Sequence, residues 1–462
     1  MATLPNFLLG PTMLLSILGL ARSPDRVFPN PAHDWREATV DVVIPARNEA
    51  RNIPLCLAAL ARQTRKPTRI ILVDDGSRDR TVDFAQTFCA LNGMDLIVIR
   101  RAQSIGRTPT LKRQAREFDS DVEFILDADT VLESENYIDR VVEELYKGAG
   151  IASACGTVLP LRGRDRSAML STAALQAFLD AHPEADIHPR ADWSRLLQHG
   201  IADVYRDVLY SFQQKFVNPG QMSFFGGILN PVGCAVAYRR DVLKTIVFDR
   251  YAPILDGDLI HPADLFIGFA TSDNGYRNIQ VTDVYARSQE PALGHVPGQV
   301  RLGSSSFLQS CDHFDDLMRS PFKAFKRYRK KREHGGRTAA AADNRVHTEP
   351  YRQPFGADYT AQYGRPIGWV LFMSAFEKVA FPAALLIMIL LKHWEPLAIT
   401  LVAESAASTS LLVMVARGHR LEYFLKSLLV APLRYAALLF DVATIGRFAA
   451  DKADKWIFKN RR

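Results

Sequence analysis

Three short apolar runs, each stopping abruptly in polar residues, constrain this chain most. They are Val40 to Ile44, Ile70 to Val73 and Val122 to Leu126. A strand buried in a parallel sheet reads this way, and such sheets bind ligands outside the carboxyl ends of their strands. The three runs end in Pro45-Ala46-Arg47-Asn48-Glu49, Asp74-Asp75-Gly76-Ser77 and Asp127-Ala128-Asp129. Three polar stops of this kind predict one site on one sheet edge. Between them, 49 to 62 carries apolar residues at Ile53, Leu57 and Leu60, the spacing of an amphipathic helix. Its amino end follows Glu49, which would turn backbone N–H groups and a positive dipole end toward the ligand region. A second helix is expected over 81 to 91 and a further strand over 96 to 99. Strands alternating with helices predict an α/β fold with a mostly parallel sheet.

The residues at the stops suit a nucleotide carrying a diphosphate. Two aspartates separated by one residue, on a turn after a strand, can hold Mg²⁺ or Mn²⁺ and orient a ribose. Asp74 and Asp75 can accept hydrogen bonds from a base or a ribose. Any one of these motifs alone is more often a turn or a cap; all three together, in this order, carry more weight.

In order and spacing, Pro-Ala-Arg-Asn-Glu, Val-Asp-Asp-Gly-Ser and Asp-Ala-Asp resemble the family 2 glycosyltransferases, over roughly residues 38 to 302. The resemblance implies the GT-A nucleotide-diphospho-sugar fold. It also implies an inverting, metal-dependent transfer from a nucleotide-diphospho-sugar to a lipid or growing polysaccharide. Pro45, Arg47, Glu49, Asp74, Asp75 and Asp127 would bind the donor, and Asp129 the metal. Arg107 stands where the family has a basic residue near the diphosphate. Alignment on Gly275-Tyr276-Arg277 puts Asp264 at the general-base position, although Ala263 replaces the acidic residue expected before it. Helix capping by Asp264 is the plainer alternative, and Asp256 and Asp258 compete for the role. Gly226-Gly227 and the strand ending in Tyr238-Arg239-Arg240 are expected beside the acceptor site. Of a Gln-x-x-Arg-Trp acceptor motif only Arg301 survives, which weakens any claim of processive synthesis. A catalytically inactive scaffold of the same fold, serving envelope polysaccharide assembly with partner proteins, is the alternative.

Composition narrows the setting. Lys and Arg number 57 against 50 Asp and Glu, a net charge of +7 that permits anionic partners and selects none. Five scattered cysteines without Cys-x-x-Cys suggest neither a zinc site nor a disulfide framework. No Gly-x-Gly-x-x-Gly follows the first strand, which excludes a dinucleotide-binding oxidoreductase.

Membrane segments are expected at both ends. Residues 1–21 read as a membrane-associated helix and 22–38 as a linker. The GT-A domain is placed at 39–310, with an insertion at 162 to 220 that shapes the acceptor side. A basic interfacial segment and flexible loop follow at 311–365. Its run 319 to 332, basic with interleaved aromatic residues, points to anionic lipid rather than nucleic acid. Transmembrane or interfacial helices occupy 366–447 and a basic cytosolic tail 448–462. Two of them, starting near Val379 and Pro396, read as a hairpin. The third, 423 to 447, carries Lys426, Arg434 and Asp441 and reads as interfacial or bundle-facing. Glu404 should face protein. Positive charge favours an inner-membrane protein with its catalytic domain in the cytosol.

Overall fold

The computed structural model describes residues 10–21, 34–148, 150–188, 193–255, 264–289, 293–334, 351, 353–416 and 418–460. Eight strands form one sheet: β1 Val40–Ala46, β2 Arg69–Asp74, β3 Leu96–Arg100, β4 Val122–Leu126, β5 Thr130–Leu132, β6 Ile151–Pro160, β7 Ala235–Arg239 and β8 Arg277–Ser288, in the order β3-β2-β1-β4-β7-β6-β8-β5. The first four are mutually parallel. Ala46 pairs with Asp74 and Asp74 with Arg100, so three strands finish level. β7 runs antiparallel to β4, and its amino end therefore reaches the same edge. β6 and β8 are parallel, and β5 closes the sheet antiparallel to β8. The expected mostly parallel α/β sheet is present.

Helices cover both faces, because strands apolar on both sides must be sheltered on both. α1 spans Pro11–Ala21; α2 Ile53–Ala61, α3 Thr81–Leu91 and α5 Tyr137–Tyr146 pack one face, where Leu57, Phe88 and Tyr137 are buried. α4 Arg107–Glu117 and α10 Asp264–Asp273 cover the other, with Leu111, Phe266 and Phe269 in the core. The insertion forms α6 Gly163–Leu170, α7 Ala173–Ala181, α8 Trp193–Phe212 and α9 Asn218–Phe225. A π-helical stretch, Gln213–Val217, joins α8 to α9.

The second core does not stop at residue 310. α11 Val296–His313 and α12 Asp315–Met318 contribute Phe307, Cys311 and Leu317 to it. After α13 Ala324–His334 and α14 Ala357–Tyr363, α15 Gly368–Leu390 adds Val370 and Leu371. Arg365, in the segment expected to be interfacial, is 1% exposed and donates to the carbonyls of Asp273, Pro354 and Gly356. The basic run behaves as expected where described: Phe322, Phe325 and Tyr328 are exposed.

Three helices are long and apolar enough to cross a membrane: α15, α16 Trp394–Val415, and the first 33 residues of α17 Arg420–Asn460. α15 begins before the span expected from sequence, because Trp369 to Phe376 continue the apolar run. Glu377 and Lys378 consequently fall mid-helix rather than at its start. The charges of α17 point into the bundle. Lys378 Nζ lies 3.2 Å from Asp441, Arg434 pairs with Glu404, and Lys426 Nζ lies 2.5 Å from Asp207 of α8. The third segment is thus bundle-facing and long enough to span. α1, as described, has 11 residues, about 16 Å, too short to cross alone. It packs on α9 and leaves Leu14 and Leu18 exposed.

Candidate active site

Two cavities meet at the Asp127-Ala128-Asp129 turn. The first, about 340 Å³, opens at the ends of β1, β2 and β4. Seven of the expected residues line it: Pro45, Arg47, Glu49, Asp75, Arg107, Asp127 and Asp129. The second, about 400 Å³, shares Glu49, Asp127 and Asp129 with it and continues past Asp264 to the membrane helices. The turn is built locally: Asp127 N donates to Cys234 O of the β7 entry at 2.9 Å, and Thr130 N to Asp127 O at 2.9 Å.

Arg107, at the first position of α4, ties the centre together. Its Nη2 is 3.0 Å from Asp127 Oδ1 and 2.7 Å from Gly233 O, and its Nη1 meets Asp264 Oδ1. Burial works against each charge, yet the two carboxylates hold the guanidinium's pKa above its ordinary value. Burial alone would raise Asp264; the Arg107 charge outweighs it and holds the carboxyl below the usual range. Asp264 opens α10 without being only a cap, since its carboxylate reaches across to α4. Gly233 makes room: a Cβ there would run into the Asp264 carboxylate.

Asp75 is an anchor for the loop that carries Arg107. Its carboxylate accepts from Ser104 Oγ at 2.5 Å, Ile105 N at 2.9 Å, Gly106 N at 2.9 Å and Arg101 Nη1 at 3.3 Å. Burial raises its pKa, but these donors bring it below the ordinary value. Asp74 lines neither cavity; it accepts from Ser77 N at 2.9 Å and shapes its own turn.

Asp129 differs from its neighbours. Burial, then the charges of Asp127 and Glu49, push its carboxyl up to about 7. Glu49 is raised too, by burial first, although Asn52 Nδ2 donates to it at 2.7 Å. Carboxylates crowded against their own repulsion suit a divalent cation. Among the described residues no three His, Cys, Asp or Glu side chains converge to hold a metal by themselves. A cation here would therefore take Asp129 and Asp127 together with ligands from outside the protein, such as diphosphate oxygens.

Four expectations are corrected. The N–H groups before α2 do not face the cavity; those of Asn48, Glu49 and Ala50 bond Ser77 Oγ, Thr81 Oγ1 and Asp79 Oδ2, because the Asp-Asp-Gly-Ser loop folds over them. Arg301 lies exposed on α11, where its Nε bonds only Pro297 O, 3.4 Å away on its own helix. Gly226 ends α9 at φ +77°, and the space beside it is filled by Tyr351, not left for a ligand. Arg239 and Arg240 sit at the opposite end of β4, bonding Ile151 O and Ser120 O, since β7 is antiparallel. Asp256 and Asp258 lie outside the described residues. Sequence reasoning missed Arg101, Ser104, Gly233 and Tyr210; none sits in a motif, and only folding brings them to the edge.

Residues 41–247 match the model of glycosyl transferase family 2. Among curated proteins, an undecaprenyl-phosphate 4-deoxy-4-formamido-L-arabinose transferase of Pectobacterium carotovorum is 33% identical over 122 residues, 26% of this chain and 36% of that protein. A PGL/p-HBAD biosynthesis glycosyltransferase of Mycobacterium bovis is 42% identical over 59 residues, 13% of this chain and 23% of that protein. The matches thus span well under half the length of these curated relatives. Among solved structures, a mannosyltransferase of Pyrobaculum calidifontis in complex with GDP-Man and Mn²⁺ aligns over 94% of both chains at 16% identity, with a TM-score of 0.47. The matched segment holds β1 to β4 with their acidic edge and β7, and three helices long and apolar enough to cross a membrane follow it.

Proposed function

We propose that this chain is a family 2 glycosyltransferase, which transfers a sugar from a nucleotide-diphospho-sugar to a membrane-associated acceptor with inversion at C1. The observation that carries this is Asp264, a buried carboxylate that lines the second cavity, which leads to the long apolar helices, and pairs with Arg107 of the first, at the strand ends. The donor occupies the first cavity, against Pro45, Arg47, Asp75 and Arg107. A divalent cation, Mg²⁺ or Mn²⁺, held by Asp129 and Asp127, supplies charge for the diphosphate. Arg107 keeps Asp264 ionised, so that Oδ2 can accept the acceptor hydroxyl's proton as that oxygen attacks. A buried setting excludes water that would otherwise compete. The names of relatives, a transferase of undecaprenyl phosphate and a glycosyltransferase of PGL/p-HBAD biosynthesis, support a membrane-associated acceptor, as do the apolar helices. We place the catalytic part on the cytosolic side of an inner membrane, because the basic run 319 to 332 precedes the first of those helices.

The test is a donor screen on the full chain in lipid nanodiscs. UDP-, GDP- and dTDP-sugars are supplied with Mn²⁺ or Mg²⁺, and nucleoside diphosphate release is followed with and without membrane lipid. Release with one donor, stimulated by lipid, is expected. Asp264→Asn should lower transfer about 10²–10⁴-fold, the range of a general base, with the donor KM retained. No release with any donor, from folded protein, would instead mark an inactive scaffold.

A further inference from the structure

Arg166, on α6 of the insertion, is buried, and among the described residues it meets no carboxylate directly. Its guanidinium donates instead to four neutral oxygens. Nη1 bonds Arg51 O at 3.2 Å and Ile187 O at 3.1 Å; Nη2 bonds Asn52 Oδ1 and Gln289 Oε1, both at 2.5 Å. Buried charges are ordinarily paired, because an unpaired one is costly. Burial and then the charge of Arg51 lower its pKa to about 10, so it stays protonated near neutral pH. An arginine has donors only, so both amides must turn their oxygens to it and their NH2 groups away. Asn52 Nδ2 goes to Glu49 Oε2 at 2.7 Å. Gln289 Nε2 has no partner among the described residues, and it is not sealed off from the surface.

Gln289 directly follows β8, and its N donates to Asp129 O at 3.1 Å, which fixes it beside the acidic turn. It lines the second cavity with Asp127, Asp129 and Asp264, and not the first. In the transfer described above, C1 passes from a diphosphate held near Asp127 and Asp129 to an oxygen deprotonated by Asp264. The sugar then lies between these groups, on the Gln289 side of the turn. The carboxylates there accept hydrogen bonds and donate none. Arg107 and Asn52 already donate to protein oxygens. A sugar oxygen in this place finds an open donor in Gln289 Nε2. We propose, on the transferase reading above, that Gln289, oriented by Arg166, hydrogen-bonds an oxygen of the transferred sugar. A hydroxyl or an acyl carbonyl can accept there; a deoxygenated position leaves the amide unmet. Arg166 is a positioning residue: it touches no substrate and holds the amide the right way round.

The full chain in nanodiscs, with Mn²⁺ present, is titrated with two ligands: the sugar nucleotide identified by nucleotide release, and its nucleoside diphosphate alone. Gln289→Ala and Gln289→Glu both remove the N–H donors, and the second keeps an oxygen for Arg166. Each should weaken the sugar nucleotide about tenfold and leave the nucleoside diphosphate within about twofold. Both ligands weakened alike, as a merely structural change would do, or neither weakened, overturns the proposal. Among donors lacking single sugar hydroxyls or acyl groups, one should bind wild type and Gln289→Ala equally; a gap kept with every one of them overturns the contact. Arg166→Lys keeps the charge and loses the planar fork. It should show the same selective loss, and wild-type affinity for the sugar nucleotide in that variant would overturn the role given to Arg166. If the wild-type chain consumes no donor, the transferase reading itself fails, and the sugar contact with it.

Discussion

Arg107 shows how one side chain sets the state of the site. Its guanidinium spans Asp127, Asp264 and Gly233 O. The fit depends on a residue with no side chain. Gly233→Ala places a methyl where the Asp264 carboxylate sits. The expected outcome is transfer lowered at least about tenfold, as misplacement of a catalytic group is costly, with thermal stability nearly unchanged. Wild-type kcat in that variant would show that Asp264 has room to move without consequence.

Glu123 on β4 carries a different residue-scale prediction. It is 2% exposed, and its Oε1 has no hydrogen-bond partner among the described residues. Burial first, then the charge of Asp41, push its carboxyl from 4.5 up to about 8, with Arg240 opposing. The folded protein therefore keeps a proton that the unfolded chain releases above pH 4.5. Stability from this group is present below that value and is lost as pH rises toward 8. Glu123→Gln should flatten the fall of Tm between pH 5 and 8 and leave the variant more stable than wild type at pH 8. Parallel Tm curves for the two proteins would sink the assignment.

At the scale of elements, the three spanning helices are joined by buried charges rather than apolar packing alone. Glu404 of α16 accepts from Arg434 and, at 2.5 Å, from Tyr435 Oη of α17. Removing one partner strands the other where neither water nor lipid can solvate it. Arg434→Leu is expected to destabilise the detergent-solubilised protein by about 3–5 kcal/mol, the cost of breaking a buried pair. Replacing Glu404 by Gln in the same chain should recover most of that loss. Equal melting of the single and double variants would show that the pair does not couple the helices. Lys378–Asp441 and Lys426–Asp207 repeat the device, the latter tying α17 to the insertion of the catalytic domain.

Across the whole molecule, the catalytic and membrane parts share one core. Leu317, Val370 and Leu371 pack with Phe266 and Phe269, so α15 starts inside the sheet's second core and leaves it. The second cavity runs from the Asp127-Ala128-Asp129 turn to α15. Beyond that core the helices present lipid-like faces: Leu390, Val402 and Leu439 are 70%, 68% and 70% exposed. The chain should therefore stay in the membrane pellet after a carbonate wash at pH 11 and need detergent for release. Extraction by carbonate alone would show that these helices lie on the surface instead of crossing.

The sequence by itself marked β1 to β4, β7 and the acidic edge, and left β5, β6 and β8 unmarked. Apolar runs of β-branched residues ending in Asp or Glu have few other places to go than the carboxyl end of a buried sheet. It also turned Glu404 toward protein, because a charge facing lipid is too costly, and left α17 as interfacial or bundle-facing until the structure paired its charges inward. Tertiary structure alone decided what each acidic residue at that edge contacts. Asp74 and Asp75 are adjacent, yet one shapes its turn and the other anchors the Arg107 loop. Arg301 matched a motif position and ended on solvent, since a helix face is set by packing far along the chain. Asp264 lies 157 residues from Arg107 in sequence and in direct contact with it in space. Contacts of that range leave no local pattern, because periodicity and turn chemistry report only on neighbours along the chain.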